Sequence, residues 1–291
     1  MTEVKHRAAV LGKPIAHSLS PVLHNTAYHH LGLTDWDYAR HEVDEPELAS
    51  FVAGLDETWR GLSLTMPLKV IALQVADIVE PQTELVGAAN TLIRSGGLWT
   101  ATNTDIYGIV TALQEAMTED LGWPAATSVA DKPLKERSVV VLGGGATAAS
   151  TLAALGSLGA TEPKIFVRSV GRTGRLQRAA HQMGLHPKVL PLDKLEAELE
   201  LDVLVSTLPP GAADSLAAPL AQKARGGALL LDVAYGSGQT VLGQQWVQAG
   251  GSAISGQRML LHQAAEQVRL MTGLAAPVAA MDTALGQSPT G

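Results

Sequence analysis

No cysteine occurs among the 291 residues, which excludes a disulfide framework, a thiolate nucleophile and a zinc–thiolate site. Such a chain fits a cytoplasmic setting. No block of lysine and arginine appears and the formal net charge is −7, so the footprint of a protein that grips a phosphate backbone is missing. Nucleic acid is not an expected partner. Neither is a membrane, since no stretch is long and apolar enough to span a bilayer. The start, Met1-Thr2-Glu3-Val4-Lys5-His6-Arg7, leads into an apolar run of strand length rather than the apolar core of a signal peptide. The nine histidines form no H-E-x-x-H and no compact His/Asp cluster, so no metal site is expected, and His17 reads as a surface or packing residue. There is no internal repeat or low-complexity tract.

What the chain does have is apolar bulk. With 46% apolar and 17% charged residues it can bury enough surface to offset its ordering entropy, and its length fits two domains with a cleft between them. A compact run at Ala8 to Leu11 reads as a buried strand. It delivers a loop, and Ser20 then reads as N-cap of a helix with Pro21 in its first turn. Strand-like runs at Trp36 to Val43, Gly61 to Thr65, Asn90 to Arg94 and Leu98 to Thr102 alternate with helical patterns at Pro46 to Gly54 and Pro67 to Val75. That alternation predicts an α/β domain with a largely parallel sheet. Gly96-Gly97 signals a hairpin, hence an antiparallel edge. A helix follows from Ile106 to Met117, and Leu121 to Glu136 reads as an exposed connection.

From Ser138 a second series begins: Val139 to Leu142, a helix from Ala146 to Leu158, Lys164 to Val167, a helix near Arg172 to Met183, Lys188 to Leu190, Val203 to Ser206 and Ala228 to Asp232. This is the pattern of a Rossmann-like, doubly wound dinucleotide-binding domain. Helices at Met259 to Met271 and Pro277 to Leu285 close the chain. The first junction, Gly143-Gly144-Gly145-Ala146-Thr147-Ala148, reads as G-x-G-x-x-A. Gly143 permits the tight turn, Gly145 lets backbone approach a pyrophosphate, and Ala148 allows close helix packing. The helix start at Ala146 and Thr147 offers free N–H groups to the phosphates. After the second strand an NAD site would carry an acidic residue. Here stand Arg168, Ser169 and Arg172, which match a 2′-phosphate, so NADP is preferred. Arg175 reads as part of a solvated helix start.

Polar groups gather at three further places. Ser18 and Ser20, spaced i, i+2, would point the same way in an extended segment and could both donate to one small anion. The turn Thr65-Met66-Pro67-Leu68-Lys69 ends a buried strand and opens a helix carrying Lys69. Ala89-Asn90-Thr91 and Asn103-Thr104-Asp105-Ile106-Tyr107-Gly108 set polar residues among apolar runs.

Taken in order, the S-x-S-P loop, the T-x-P-x-K turn, the A-N-T and N-T-D-x-x-G segments, the glycine loop, Asp232-Val233-Ala234-Tyr235 and Met259-Leu260-Leu261-His262-Gln263-Ala264 resemble shikimate dehydrogenase over nearly the whole chain. The resemblance implies that residues 1–105, completed by 256–291, bind shikimate and that 106–255 bind NADP. It implies that Ser18, Ser20 and Tyr235 hold the substrate carboxylate. Thr65, Lys69, Asn90, Asp105 and Gln263 would surround the ring hydroxyls and the reacting carbon, and Gly256 and Met259 would lie near the nicotinamide. The implied reaction is reversible NADP-dependent reduction of 3-dehydroshikimate to shikimate, on the route to chorismate and aromatic amino acids. Lys69 is its natural proton donor and Asp105 the group that orients it.

Ser63 stands where the commoner pattern has asparagine, Ala146 replaces a later glycine of the loop, and Val167 replaces the asparagine before Arg168. Two rivals stay open. One is an NAD-preferring quinate/shikimate dehydrogenase, expected to carry an acid near position 168, and the other is a sensor that binds dinucleotide and small acid without turnover. Retention of Lys69 and Asp105 speaks against the sensor. A homodimer is left open.

Overall fold

The computed structural model describes residues 4–119, 121–122, 131–195, 201–236 and 238–287. Part of the connection expected between Leu121 and Glu136, residues 123–130, lies outside the described residues, as do 288–291. The described chain divides into two units, one made of 4–108 with 260–287 and the other of 109–259.

The first unit opens with strand β1 (His6–Gly12), helix α1 (Ser20–His30), β2 (Trp36–Glu42), α2 (Leu48–Ala53), β3 (Trp59–Leu64), α3 (Ala72–Val75), β4 (Ile78–Val79), α4 (Pro81–Val86), the hairpin β5 (Thr91–Ser95) and β6 (Leu98–Thr102), and α5 (Thr104–Glu119). Its strands lie in the order β2-β1-β3-β5-β6-β4. Side chains alternate across a strand, and β1 uses both faces. Ala8 and Val10 join the core cluster of Leu23, Ala27 and Tyr28 on α1, while Ala9 and Leu11 join that of Leu48, Val52, Leu68 and Ala72. A strand buried on both sides explains why its sequence is an uninterrupted apolar run.

Three local expectations are corrected. Gly96 and Gly97 do turn the hairpin, with φ of 59° and 86°, but the strand that runs against its neighbours, β5, is interior. It pairs antiparallel with β3 and β6, and the two-residue β4 covers the far edge parallel to β6. The segment 46–54 is split, with a 3-10 turn Glu45–Glu47 under an Asp44 capping box before α2. Lys69 is not on a helix: the chain runs in turns after Pro67 and only Ala72–Val75 is helical. The Lys69 carbonyl accepts from the Ala89 N–H at 2.7 Å, so a tertiary partner takes the acceptor that a helix would have used.

The second unit contains β7 (Val139–Leu142), α6 (Ala146–Ser157), β8 (Lys164–Val167), α7 (Gly174–Gln182), β9 (Lys188–Pro191), β10 (Leu201–Ser206), α8 (Ala217–Ala221), β11 (Ala224–Asp232), α9 (Val241–Gln248) and β12 (Ser252–Ser255). All its described pairings are parallel. The order β12-β11-β10-β7-β8-β9 puts the first strand in the middle, so the winding reverses between β7 and β10, where doubly wound sheets bind ligands. Val140, Leu142, Phe166, Leu204, Leu230 and Trp246 share one core. The Trp246 indole N–H donates to the Ala228 carbonyl at 3.0 Å, which satisfies its polar end inside that core. The helix expected near Arg172 is preceded by a separate 3-10 turn, Val170–Arg172.

The chain returns to the first unit through α10 (Gly256–Thr272) and α11 (Val278–Gln287). Leu261, Ala264, Val268, Met271, Met281 and Leu285 complete the core that Ala8 and Val10 begin. That unit is therefore assembled from both ends of the chain. Unit boundaries fall inside α5 and α10.

Candidate functional site

Lys69 is held by its backbone before its side chain does anything. Thr65 N–H bonds the Leu11 carbonyl at 2.9 Å and Lys13 N–H the Met66 carbonyl at 2.9 Å, zipping the loop after β3 to the end of β1, and Leu68 N–H closes a turn on Thr65 at 2.8 Å. From that turn Lys69 Nζ donates to Asp105 Oδ2 at 2.6 Å. The side chains are only 15% and 4% exposed, so the contact is shielded from the screening that makes surface pairs weak. Asp105 lies in the first turn of α5. Asn103 precedes that helix, accepting from Ile106 N–H at 3.3 Å and donating to the Ala88 carbonyl at 2.7 Å. A carboxylate at a helix start is favoured by the free N–H groups and the dipole there.

Asn90 is the hub of the cluster. Its Oδ1 accepts from Thr104 N–H at 2.7 Å and Thr91 Oγ1 at 2.9 Å, which fixes the orientation of the amide. Its Nδ2 then faces Asp105 Oδ1 at 2.9 Å, Thr104 Oγ1 at 2.9 Å and Gln263 Oε1 at 3.1 Å. Two protons serve three acceptors, so one bond is shared. Gln263 Nε2 donates to the Leu260 carbonyl at 3.0 Å, leaving its second N–H for a ligand. An ammonium has three donors. One is on Asp105, so two remain for a substrate oxygen.

Ser18 and Ser20 are both buried, but the segment is not extended between them. Leu19 has φ −87° and ψ −4°, it is the N-cap of α1, and Ser20 is the first helical residue rather than a cap. The Ser20 N–H donates to Ser18 Oγ at 3.3 Å, which leaves the Ser18 hydroxyl proton available. The Arg40 guanidinium donates to the Ala16 carbonyl and pins the loop. His17 is exposed and Thr65 half-buried.

In the second unit the glycine loop follows β7 at the winding reversal. Gly143 has φ +107°, and a Cβ there would collide with Thr207 Oγ1. Glycine is required on both counts. Thr207 follows β10 and binds the Leu142 carbonyl through its N–H at 2.8 Å and its hydroxyl at 2.7 Å, so the two strand ends are locked together. A Cβ on Gly144 would meet Val167 at 3.0 Å, whereas one on Gly145 would meet nothing within 4 Å. Gly145 is the N-cap of α6 with no side-chain cap, and Ala146 and Thr147 follow in its first turn. The loop is therefore open at Gly145, and Ala148 is fully buried as close helix packing requires. Arg168, Ser169 and Arg172 are exposed just beyond β8, at the same end of the sheet. These residues fit a dinucleotide with a 2′-phosphate.

Tyr235 follows β11, and burial raises the pKa of its phenol. Gly256 opens α10, and Met259 is buried one turn on. A hollow of about 370 Å³ in the same unit is lined by Asp232, Thr240, Gln239, Ile254, Ser255 and Gln257, among others. Burial raises the Asp232 pKa against the Thr240 hydroxyl, which donates to it at 2.8 Å. Among the described residues no group of acids and histidines could hold a metal ion, and no helix is long and apolar enough to cross a membrane.

Of the expected residues, Lys69, Asp105, Asn90 and Gln263 meet in one hydrogen-bonded cluster, and Ser18 and Ser20 meet each other. Tyr235, Gly256, Met259 and the glycine loop belong to the second unit. Thr104, Thr91 and Gln267 were given no role from the sequence. Thr91 and Thr104 lie inside the A-N-T and N-T-D-x-x-G segments. Gln267 could have been found from its i, i+4 spacing to Gln263, which places both amides on one helix face.

A family model described as the shikimate dehydrogenase substrate binding domain matches residues 10–92, and one described as the shikimate 5′-dehydrogenase C-terminal domain matches 256–285. The shikimate dehydrogenase (NADP(+)) of Citrifermentans bemidjiense is 34% identical over 286 residues, which are 96% of this chain and 93% of that protein. The crystal structure of Mycobacterium tuberculosis shikimate dehydrogenase matches with a TM-score of 0.84 at 39% identity, covering 97% of this chain and 100% of that one. Shikimate 5-dehydrogenase from Thermus thermophilus, solved in complex with NADP(H) and shikimate, matches with a TM-score of 0.80 at 30% identity over 97% and 99% of the two chains.

Proposed function

The chain belongs to the shikimate dehydrogenase family, and from that premise we propose that Lys69 and Asp105 are the pair through which it interconverts 3-dehydroshikimate and shikimate. It is an NADP-dependent oxidoreductase of the shikimate pathway. The 2.6 Å contact between Lys69 Nζ and Asp105 Oδ2, shielded and oriented through Asn90, carries the assignment.

Bound NADPH supplies the hydride. The chain supplies the proton and the alignment. In the reducing direction the Lys69 ammonium donates a proton to the ketone oxygen as it becomes a hydroxyl, and the lysine is left as a neutral amine. In the oxidising direction the amine takes that proton back. Asp105 holds Nζ in place and still has lone pairs for a ring hydroxyl. Gln263, through its remaining N–H, and Thr65 provide further polar contacts to the ring, and an analogue lacking one hydroxyl would leave such a group unpaired. Ser18 and Ser20 offer hydroxyl donors to the carboxylate, with Tyr235 as a third.

On the cofactor side, Gly143, Gly144 and Gly145 with the N–H groups of Ala146 and Thr147 would receive the pyrophosphate. Arg168, Ser169 and Arg172 would receive the 2′-phosphate, and Gly256 and Met259 would lie by the nicotinamide. Residues 1–105 with 256–291 form the substrate domain in this proposal, and 106–255 the NADP domain. A cytoplasmic setting and a homodimer go with it.

Purified protein mixed with 3-dehydroshikimate and either NADPH or NADH, followed by nicotinamide absorbance, tests the whole. Oxidation of NADPH well ahead of NADH is expected. Preference for NADH would move the chain to the quinate/shikimate type, and no oxidation of either would leave only binding.

A further inference from the structure

The helix that brings Gln263 to Asn90 brings a second amide one turn later. Gln267 is fully buried, and both of its polar atoms have hydrogen-bond partners. Tyr38 Oη donates to Ser63 Oγ at 2.6 Å, so the Ser63 proton goes on to Gln267 Oε1 at 2.7 Å. Gln267 Nε2 donates to Thr91 Oγ1 at 2.8 Å and approaches the Asn90 carbonyl at 3.4 Å. Thr91 then has one proton to give, and gives it to Asn90 Oδ1 at 2.9 Å. That bond turns Asn90 Nδ2 toward Asp105.

The series has a polarity. It starts at a phenol that burial keeps protonated and ends on a carboxylate. Were the Gln267 amide reversed, its oxygen would draw the Thr91 proton away from Asn90, and Asn90 would lose one of the bonds that set its own orientation. Tyr38, Ser63, Thr91, Asn90 and Asp105 are all buried, so water cannot replace a missing link, and partial satisfaction of such a network is costly. Near the phenol the series also passes Ser20, whose hydroxyl interacts with Tyr38.

We propose that Gln267 is a positioning residue for the reaction, acting through Thr91 and Asn90 to hold Asp105, and so Lys69, in working geometry. This rests on the assignment of Lys69 and Asp105 as the proton-handling pair. Gln267 touches neither the substrate nor the cofactor. Its contribution is to leave the proton-handling pair only one arrangement.

Gln267→Met keeps length and approximate volume and removes both polar ends. It should lower kcat about tenfold while KM for shikimate stays within about threefold, because the lost order matters most as the proton moves. In an Asn90→Ala background the same change should have little further effect on kcat, as expected of residues acting in series. Rescue follows from geometry: Ser63 and Thr91 are cross-strand partners of β3 and β5, so Ser63→Asn can offer an amide to Thr91 directly and should restore part of the kcat lost in Gln267→Ala. If Gln267→Met does not fold, Ser63→Ala interrupts the same series one link earlier and should lower kcat in the same sense. A kcat strongly lowered in Lys69→Ala with unchanged kcat in folded Gln267→Met or, failing that, in Ser63→Ala overturns the role of Gln267 alone. Unchanged kcat in Lys69→Ala overturns the pair, and the role of Gln267 with it.

Discussion

A lysine that bonds one carboxylate and leaves two donors free is a sufficient proton source, and its removal separates chemistry from binding. Lys69→Ala should reduce kcat by about a thousandfold, within the range general acid catalysis supplies, with a much smaller change in shikimate affinity. Steady-state kinetics beside a direct binding titration decide it, and a variant that turns over normally removes Lys69 from the mechanism. His24 carries a different prediction. It is fully buried and stacked on Tyr38 at 3.9 Å, and burial lowers its pKa from 6.5 to about 4 against a hydrogen bond to the Ser20 carbonyl. Between those values the unfolded chain binds the proton and the folded chain does not. Stability is therefore undiminished by this group above pH 6.5 and falls as pH drops toward 4, by roughly 3 kcal/mol at most. His24→Phe keeps a stacked ring and should flatten that decline in denaturant midpoints measured across the window. An unchanged slope would assign it to other groups.

Elements differ in how far the sequence could announce them. The apolar run of β1, the glycine loop between β7 and α6, and the Gly96-Gly97 turn are local, and period, glycine and turn chemistry make them readable. β4 has two residues and gives no periodic signal, so the covered edge of the first sheet was invisible. The helix expected from Pro67 fails because Ala89 takes the Lys69 carbonyl, a partner no local window contains. For the site, motif order named Lys69 and Asp105, while the bond between them spans 36 positions and came only with the fold. At β8 the legible feature is also testable. Arg168 is exposed immediately after the strand, and its sequence neighbours Val167 and Ser169 are not acidic. Arg168→Ala should raise KM for NADPH roughly ten- to a hundredfold, the worth of a charge-assisted bond, and leave KM for NADH nearly unchanged. Equal effects on both cofactors would place the 2′-phosphate elsewhere, with Arg172 next to test.

At the scale of the whole molecule, the asymmetry between the two units is one of chain order. Residues 109–259 are contiguous and close their own core around Trp246, Phe166 and Leu230. The other unit depends on residues that arrive last: Met281 and Leu285 of α11 are buried in its core, and α11 packs on α1. Losing a buried methionine or leucine side chain costs about 2–5 kcal/mol each, a large share of the ~5–15 kcal/mol that holds a typical domain folded. A chain ending after Gly273, which keeps α10 with Gln263 and Gln267 but lacks α11, should therefore lose shikimate binding although none of the proposed substrate contacts has been removed. NADP⁺ binding, carried by groups of the contiguous unit, should persist in the same preparation. Calorimetric titration with each ligand separates the outcomes: retained shikimate affinity would show that α11 is dispensable to the first core, and loss of both ligands would show that the second unit does not stand alone.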